Sequence, residues 1–318
     1  MRLLSFVIAS LVAAAAAAQP FPSKPIIIVV PFAPGGPAEG IARITAQSME
    51  QVLKEKIVSE TEPGAGGNIG AQYVAKQSRP DGYTMLFGST TLASSVSLMK
   101  TAYDARKDLV PVAGIGMIPN LLITGPNSPY KTVKDVVDAA KAKPKTITFG
   151  SSGPGTGSHL AGELFKATSG IDLVHVPYKG ISLAVPAVIA GEVQLTFAGI
   201  ATSTGPLKSG RIKAIAIGGP KRSPLFPDVP TFTELGYPEV ETHAWFGLFL
   251  PTGSPRDAVV KIHADVKRIL EEPEFRQKQL IDRGYEVVGS SPEEFSVFLR
   301  KDFQSRGRAV KISGAKAE

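Results

Sequence analysis

The residues of this sequence best suited to chemistry form one run, Gly150-Ser151-Ser152-Gly153-Pro154-Gly155-Thr156-Gly157-Ser158-His159-Leu160. It leaves an apolar stretch (Ile147, Phe149) and enters another in which Leu160, Ala161, Leu164 and Phe165 recur at helical spacing. The run therefore reads as strand, glycine-rich turn and helix N-terminus, with Ser158 the expected N-cap. A helix leaves its first amides without internal partners and carries partial positive charge at that end, and glycine lets backbone approach a ligand closely. Hydroxyls and bare amides gathered at such a point hold anions.

A second stretch repeats the design: Ile26 to Val30 is a buried-type strand, Pro31 to Gly36 a turn, and Ala38 to Leu53 a helix. Two such units far apart in sequence suggest the two lips of one cleft. A third strand, Tyr83 to Phe87, ends in Gly88-Ser89-Thr90-Thr91, and polar strand ends are where ligands sit in open α/β sheets.

Other chemistries fit the residues less well. The central run lacks the Gly-Lys-Ser/Thr ending of a phosphate loop, and Gly153-Pro154-Gly155-Thr156-Gly157-Ser158 stops short of GxGxxG. Gly150-Ser151-Ser152-Gly153-Pro154 is not a GxSxG elbow, and Ser158 and His159 are helix neighbours that do not face each other. A triad assembled from His175 or His243 and a distant Asp stays open, since triads are geometric. His159 and Glu163 lie one turn apart without a second histidine at zinc spacing, so no metal site is expected; His159 is expected to donate to a carbonyl and Glu163 to be exposed. Tyr178 and Lys179 could reach an anion or simply form a turn, His263 is expected to face solvent or pack locally, and Trp245, Phe246 and Phe249 read as core.

These elements sit in a chain of 318 residues with 43% hydrophobic and 20% charged residues, no cysteine and a formal charge of +7. Lacking cysteine, it has no thiol catalysis, thiolate metal site or disulfide. The positive charge is dispersed without interleaved aromatics, which argues against nucleic acid and allows at most a mild attraction for anions. Met1-Arg2, the apolar Leu3 to Val12 and the run Ala13 to Ala18 read as a secretory signal cut after Ala18. The remaining length exceeds one typical core, so two lobes are expected. Leu109 to Thr124 is strand-like, with the first crossing between lobes near Gly114 to Leu122; Thr132 caps a helix Val133 to Lys141. Helices at Ser182 to Ala190 and Ser203 to Lys208 alternate with strands Val193 to Phe197 and Ile212 to Ile217. A proline-rich linker, Pro220 to Pro230, precedes a return strand, Trp245 to Leu250. Terminal helices at Pro255 to Leu270, Glu274 to Asp282 and Pro292 to about Arg308 are expected on the first lobe. This assigns 1–18 to the signal, 19–118 with 233–318 to lobe one, and 119–232 to lobe two.

The motifs Phe21-Pro22-Ser23-Lys24-Pro25-Ile26, Pro31-Phe32-Ala33-Pro34-Gly35-Gly36, Pro63-Gly64-Ala65-Gly66-Gly67-Asn68-Ile69-Gly70, Asp81-Gly82-Tyr83-Thr84, Ser158-His159-Leu160-Ala161-Gly162-Glu163, Val174-His175-Val176-Pro177-Tyr178-Lys179-Gly180 and Pro227-Asp228-Val229-Pro230-Thr231 occur in order. Together they resemble the tripartite tricarboxylate transporter substrate-binding family, also called the Bug family. The resemblance runs from about Pro22 to Phe298. It implies an α/β, two-lobed Venus-flytrap fold, type II-like, with two mixed sheets flanked by helices. It also implies a periplasmic, monomeric receptor without cofactor, working with membrane transporter subunits and pinching a small carboxylate between two turns.

Carried over residue by residue, the resemblance places Phe32, Ala33, Gly36, Pro37 and Ala38 on one turn and Ser152, Thr156, Gly157 and Ser158 on the other. Ser89 and Thr90 complete the first lobe's side, and Ala198 stands where many members carry an acid. The Asp usual after the first glycine pair is replaced by Pro37-Ala38-Glu39. Missing carboxylates disfavour a cationic or amino-acid ligand and favour a mono-, di- or aromatic carboxylic acid. The other readings are a sensor for a signalling partner and a small-acid hydrolase on the same scaffold.

Overall fold

Strand β1 (Ile26–Val30) lies between β2 (Ile57–Thr61) and β3 (Thr84–Ser89), parallel to both. Its run of Ile and Val follows from burial on both faces, where a parallel strand has no solvent side to alternate with. Helix α1 (Pro37–Leu53) starts with proline at its first position and covers this sheet with Ile41, Ala42 and Met49. The computed structural model describes residues 21–315 except 220, 241 and 290; the signal expected at 1–18 lies outside the described residues.

The long strand β4 (Leu109–Thr124) joins the halves of the molecule. From Leu109 to Pro119 it pairs antiparallel with β9 (His243–Pro251), and from Asn120 to Thr124 with β7 (Leu195–Gly199). The register slips at Pro111 and again beyond Gly114, as expected where proline cannot donate to a ladder. Beyond β7 lie β5 (Thr148–Ser151) and β6 (Val174–Pro177), both parallel, while β8 (Lys213–Ile217) and β10 (Glu286–Val287) pair with β4. The order β2-β1-β3-β9-β4-β7-β5-β6 puts β4 and β9 in the middle of a mixed sheet. Helices α2 (Asn68–Lys76), α3 (Thr91–Leu98), α4 (Val133–Ala142), α5 (Gly157–Ser169), α6 (Ile181–Ala190), α7 (Ile200–Lys208) and α8 (Arg256–Glu271) flank it. Thr132 caps α4 through a full capping box with Asp135, as its sequence anticipates.

Three expectations change. Helix α3 directly follows the polar end of β3, in a stretch whose Ser and Thr hid its helical character. The segment expected as a helix at 274–282 is a π-helical turn, Phe275–Leu280, followed by a 3₁₀ turn, Ile281–Arg283. The last helix, α9 (Pro292–Ser313), does not rest on the first half alone: it packs on α3 and also on α5. With 22 residues it is roughly 33 Å long, enough to reach both.

Helix α9 also pins β9. Arg306 and Asp302, both almost fully buried, form an ion pair at 3.3 Å; Trp245 Nε1 donates to Asp302 at 2.7 Å and Arg306 Nη2 donates to the His243 carbonyl at 3.0 Å. Trp245 and Phe249 are core as expected, and His263 is part-buried with its Nδ1 3.2 Å from the Val112 carbonyl of β4, a long-range contact. Among the described residues no helix is long and apolar enough to cross a membrane.

Candidate functional site

The central glycine run leaves β5 and opens α5, and its backbone needs glycine at two places: Gly153 has φ +119° and Gly155 has φ +74°. Thr156, not Ser158, is the N-cap of α5; its hydroxyl accepts from the His159 amide and donates to the Gly153 carbonyl at 2.7 Å. Ser158 lies one position inside the helix, so its hydroxyl folds back onto the loop. It accepts from the Ser152 amide at 2.9 Å and contacts the hydroxyls of Ser152 and Thr156 at 3.0 and 3.1 Å. The first intrahelical bond runs from the Leu160 amide to the Thr156 carbonyl, so the amides of Gly157 and Ser158 lie ahead of the ladder.

Behind the loop, two stacked imidazoles hold its shape. His159 Nδ1 accepts from the Gly155 amide at 3.1 Å and its ring lies 4.2 Å from that of His175. His175 Nε2 is 2.7 Å from Ser151 Oγ, which accepts from the Gly153 amide at 3.0 Å. Burial, reinforced by the charge of Lys166, pushes the His175 imidazole down to about 4 and keeps it neutral. A Ser–His contact thus exists, but Ser151 is fully buried and does not reach the cavity, so it cannot meet a substrate. His159 Nδ1 accepts from an amide, and Glu163 is buried rather than exposed, with Lys166 3.0 Å from both of its oxygens.

Facing this loop, α1 begins at Gly36 with no side chain capping it. The two helix starts border a cavity of about 590 Å³, solvent at its mouth included. Its walls are Phe32, Ala33, Gly36 and Ala38 from the first turn; Ser152, Thr156, Gly157 and Ser158 from the second; Ser89, Thr90 and Thr91 at the end of β3; and Gly180 and Ile181 at the start of α6. Its floor is Ile118 and Asn120 of β4, Phe197 and Gly199 of β7, and Ala244 and Phe246 of β9. None of these residues is ionisable. With two helix N-termini at its edge and no acid among the described residues of its wall, the cavity is suited to an anion.

Ten of the twelve residues singled out from the sequence are thereby brought together on this cavity. Pro37 is the first residue of α1. Ala198 is buried on the opposite face of β7: side chains alternate along a strand, and Phe197 and Gly199 take the cavity side. Glu39, standing near the family's usual Asp, turns along α1 to pair with Arg43 at 3.2 Å and is not on the wall. Tyr178 and Lys179 line a neighbouring groove with Gly64 to Gly67 and Pro154. The floor residues were not anticipated; their signal was the crossing near Gly114 to Leu122, since strands passing between halves form the bottom of any cleft between them. Across the mouth, the Ser94 hydroxyl donates to the Gly155 carbonyl, bridging α3 and the central loop. Among the described residues no group of three or more His, Cys, Asp or Glu could hold a metal ion.

Residues 41–314 match the family model described as tripartite tricarboxylate transporter family receptor. The chain is 32% identical to Protein BugT of Bordetella pertussis over 314 residues, covering 98% of this chain and 96% of that one. A solved R. palustris protein with adipate aligns with TM-score 0.88 and 31% identity, covering 93% of this chain and 99% of its own. MatC of Rhodopseudomonas palustris with bound malate aligns with TM-score 0.87 and 31% identity, covering 91% and 100%. The architecture is the two-lobed, type II-like periplasmic-binding-protein fold.

Proposed function

Because the chain belongs to the tripartite tricarboxylate transporter receptor family, a family of solute-binding receptors rather than enzymes, we propose that it captures a small organic carboxylate in the cavity between α1 and α5. The observation that carries this reading is the pair of helix N-termini, with the hydroxyls of Ser152, Thr156 and Ser158, bordering a cavity that has no ionisable side chain among its described wall residues. Amide dipoles and hydroxyls replace the water of a carboxylate at both ends of its oxygen pair. Adipate in one relative and malate in another support a carboxylate as the class.

The residues proposed to bind are Phe32, Ala33, Gly36, Pro37, Ala38, Ser89, Thr90, Ser152, Thr156, Gly157 and Ser158. The lobes are proposed as 19–118 with 233–318, and 119–232; the exchange of β4 partners between Pro119 and Asn120 supports that division. A ligand touching both lobes favours the closed form by its contacts there. The signal-like leader and the family support a periplasmic protein that hands its ligand to membrane transporter subunits. The test is a thermal-shift screen of the mature protein against aliphatic, aromatic and amino acids, with sugars and metal ions as controls. A rise confined to carboxylates is expected through binding linkage. A rise with a neutral sugar or a metal and none with any carboxylate overturns the reading.

A further inference from the structure

The cavity floor contains a donor that the carboxylate reading does not use. Asn120 is 4% exposed and lies on the cavity wall, and its Nδ2 is buried with no acceptor among the described residues. Among the described residues, it alone of the buried side-chain atoms without a partner belongs to the cavity wall. Leaving such a donor unpaired is costly, and a native protein that keeps one on a cavity wall calls for a partner to complete it.

Its placement is rigid. The Asn120 amide donates to the Thr242 carbonyl at 3.2 Å, and its carbonyl accepts from the Gly218 amide at 2.7 Å. Both backbone groups are consumed, so the side chain is held where β4, β8 and β9 meet. Gly157 stands beside it: a Cβ there would lie 3.5 Å from Nδ2. The bare glycine thus leaves the amide beside the first turn of α5, next to where a carboxylate would sit.

The rest of the floor defines what the amide can meet. Ile118, Phe197 and Phe246 are apolar, and no described wall residue carries charge. A second carboxylate brought to this floor would share the α5 N-terminus with the first and repel it, and an ammonium group would meet no acid among the described wall residues. A neutral oxygen carries no such penalty and accepts from an amide.

We propose that Asn120 is a specificity-determining residue whose amide donates to a neutral oxygen on the body of a monocarboxylate, so that the site selects keto, hydroxy or ether acids over their plain hydrocarbon counterparts. This rests on the carboxylate reading above. The discrimination follows the general asymmetry of such sites: a pocket built to bond a substrate oxygen rejects the analogue lacking it, because its own polar group is then left unpaired.

The test is calorimetric titration of the full mature chain with matched pairs, pentanoate against 4-oxopentanoate and benzoate against 4-hydroxybenzoate. The oxygenated member of at least one pair is expected to bind tenfold or more tightly, and Asn120→Leu, close in volume but without a donor, is expected to abolish that preference. Asn120→Ala serves as a second variant, and an unliganded melting curve verifies folding of each. Equal affinity for both members of both pairs in the wild-type protein overturns the inference without any variant. A preference that survives in Asn120→Leu, or an equal loss for both members, also overturns it, the latter placing the amide on the carboxylate itself. Failure of every carboxylate to bind, in this titration and in the thermal-shift screen, refutes the parent reading instead.

Discussion

Replacing Gly66 with alanine should separate closure from folding. Gly66 faces the central loop across the cleft mouth, and an added Cβ would lie 2.2 Å from the Pro154 carbonyl oxygen, where real Cβ contacts are 3.0 Å or longer. The two turns must therefore part by about 0.8 Å. Overpacking of this kind costs about 2 kcal/mol. If only the closed form bears that cost, apparent affinity falls about 30-fold, since 1.4 kcal/mol is tenfold. Gly66 also has φ +64°, so alanine pays a conformational penalty of roughly 1 kcal/mol in open and closed forms alike. Gly170→Ala isolates that second effect: Gly170 has φ +65° and no atom within 4 Å of an added Cβ. The assay is titration calorimetry with the best carboxylate from the screen, alongside urea unfolding without ligand. Both variants should lose similar stability, and Gly66→Ala alone should lose affinity. Binding by Gly66→Ala within threefold of Gly170→Ala would refute the closure argument.

Removing the Ser158 hydroxyl takes away the acceptor of the Ser152 amide and the centre of the hydroxyl cluster. Ser158→Ala should weaken carboxylate binding about tenfold while costing about 1 kcal/mol of stability, and calorimetry showing unchanged affinity would take Ser158 out of the site. Arg306→Ala leaves Asp302 buried without its cation, and should destabilise by roughly 3–5 kcal/mol in urea unfolding; a loss below about 1 kcal/mol would show that the pair is not a clamp on β9. Acid should destabilise the protein through two histidines. Burial and then Lys166 lower His175 to about 4, and burial and then Arg306 lower His243 to about 4. Folded values below the unfolded 6.5 mean that the unfolded chain binds protons first, so stability is level above pH 6.5 and falls as pH drops from 6.5 towards 4. Urea midpoints that stay constant from pH 7 to pH 4.5 would contradict this sign.

The parts of the site made by local chain chemistry were legible in the sequence. Strand, glycine turn and helix start are local events, so Phe32 to Ala38 and Ser152 to Ser158 announce themselves through Pro, Gly, Ser and Thr beside apolar runs. Even there the cap shifted from Ser158 to Thr156, because positive φ at Gly155 turns the chain early. The floor was hidden for a different reason. Asn120, Ala244 and Phe246 come together only through the pairing of β4 with β9, contacts spanning more than a hundred residues that no local pattern encodes. Ala198 missed the cavity by one residue of strand alternation, and α9 reached α5 because its length carries it past the first half of the molecule. The buried state of Glu163 was equally invisible, since Lys166 neutralises it from the same helix face.

The central claim is that two helix N-termini capture a charged carboxylate without any cationic side chain. Its most direct test is titration of the mature protein with the best carboxylate from the screen and with the corresponding primary amide, which keeps shape and loses charge. The account predicts that the amide binds at least about 100-fold more weakly, because charge-assisted bonds to amides and hydroxyls are roughly twice as strong as neutral ones. An amide that binds as well as its acid would contradict it.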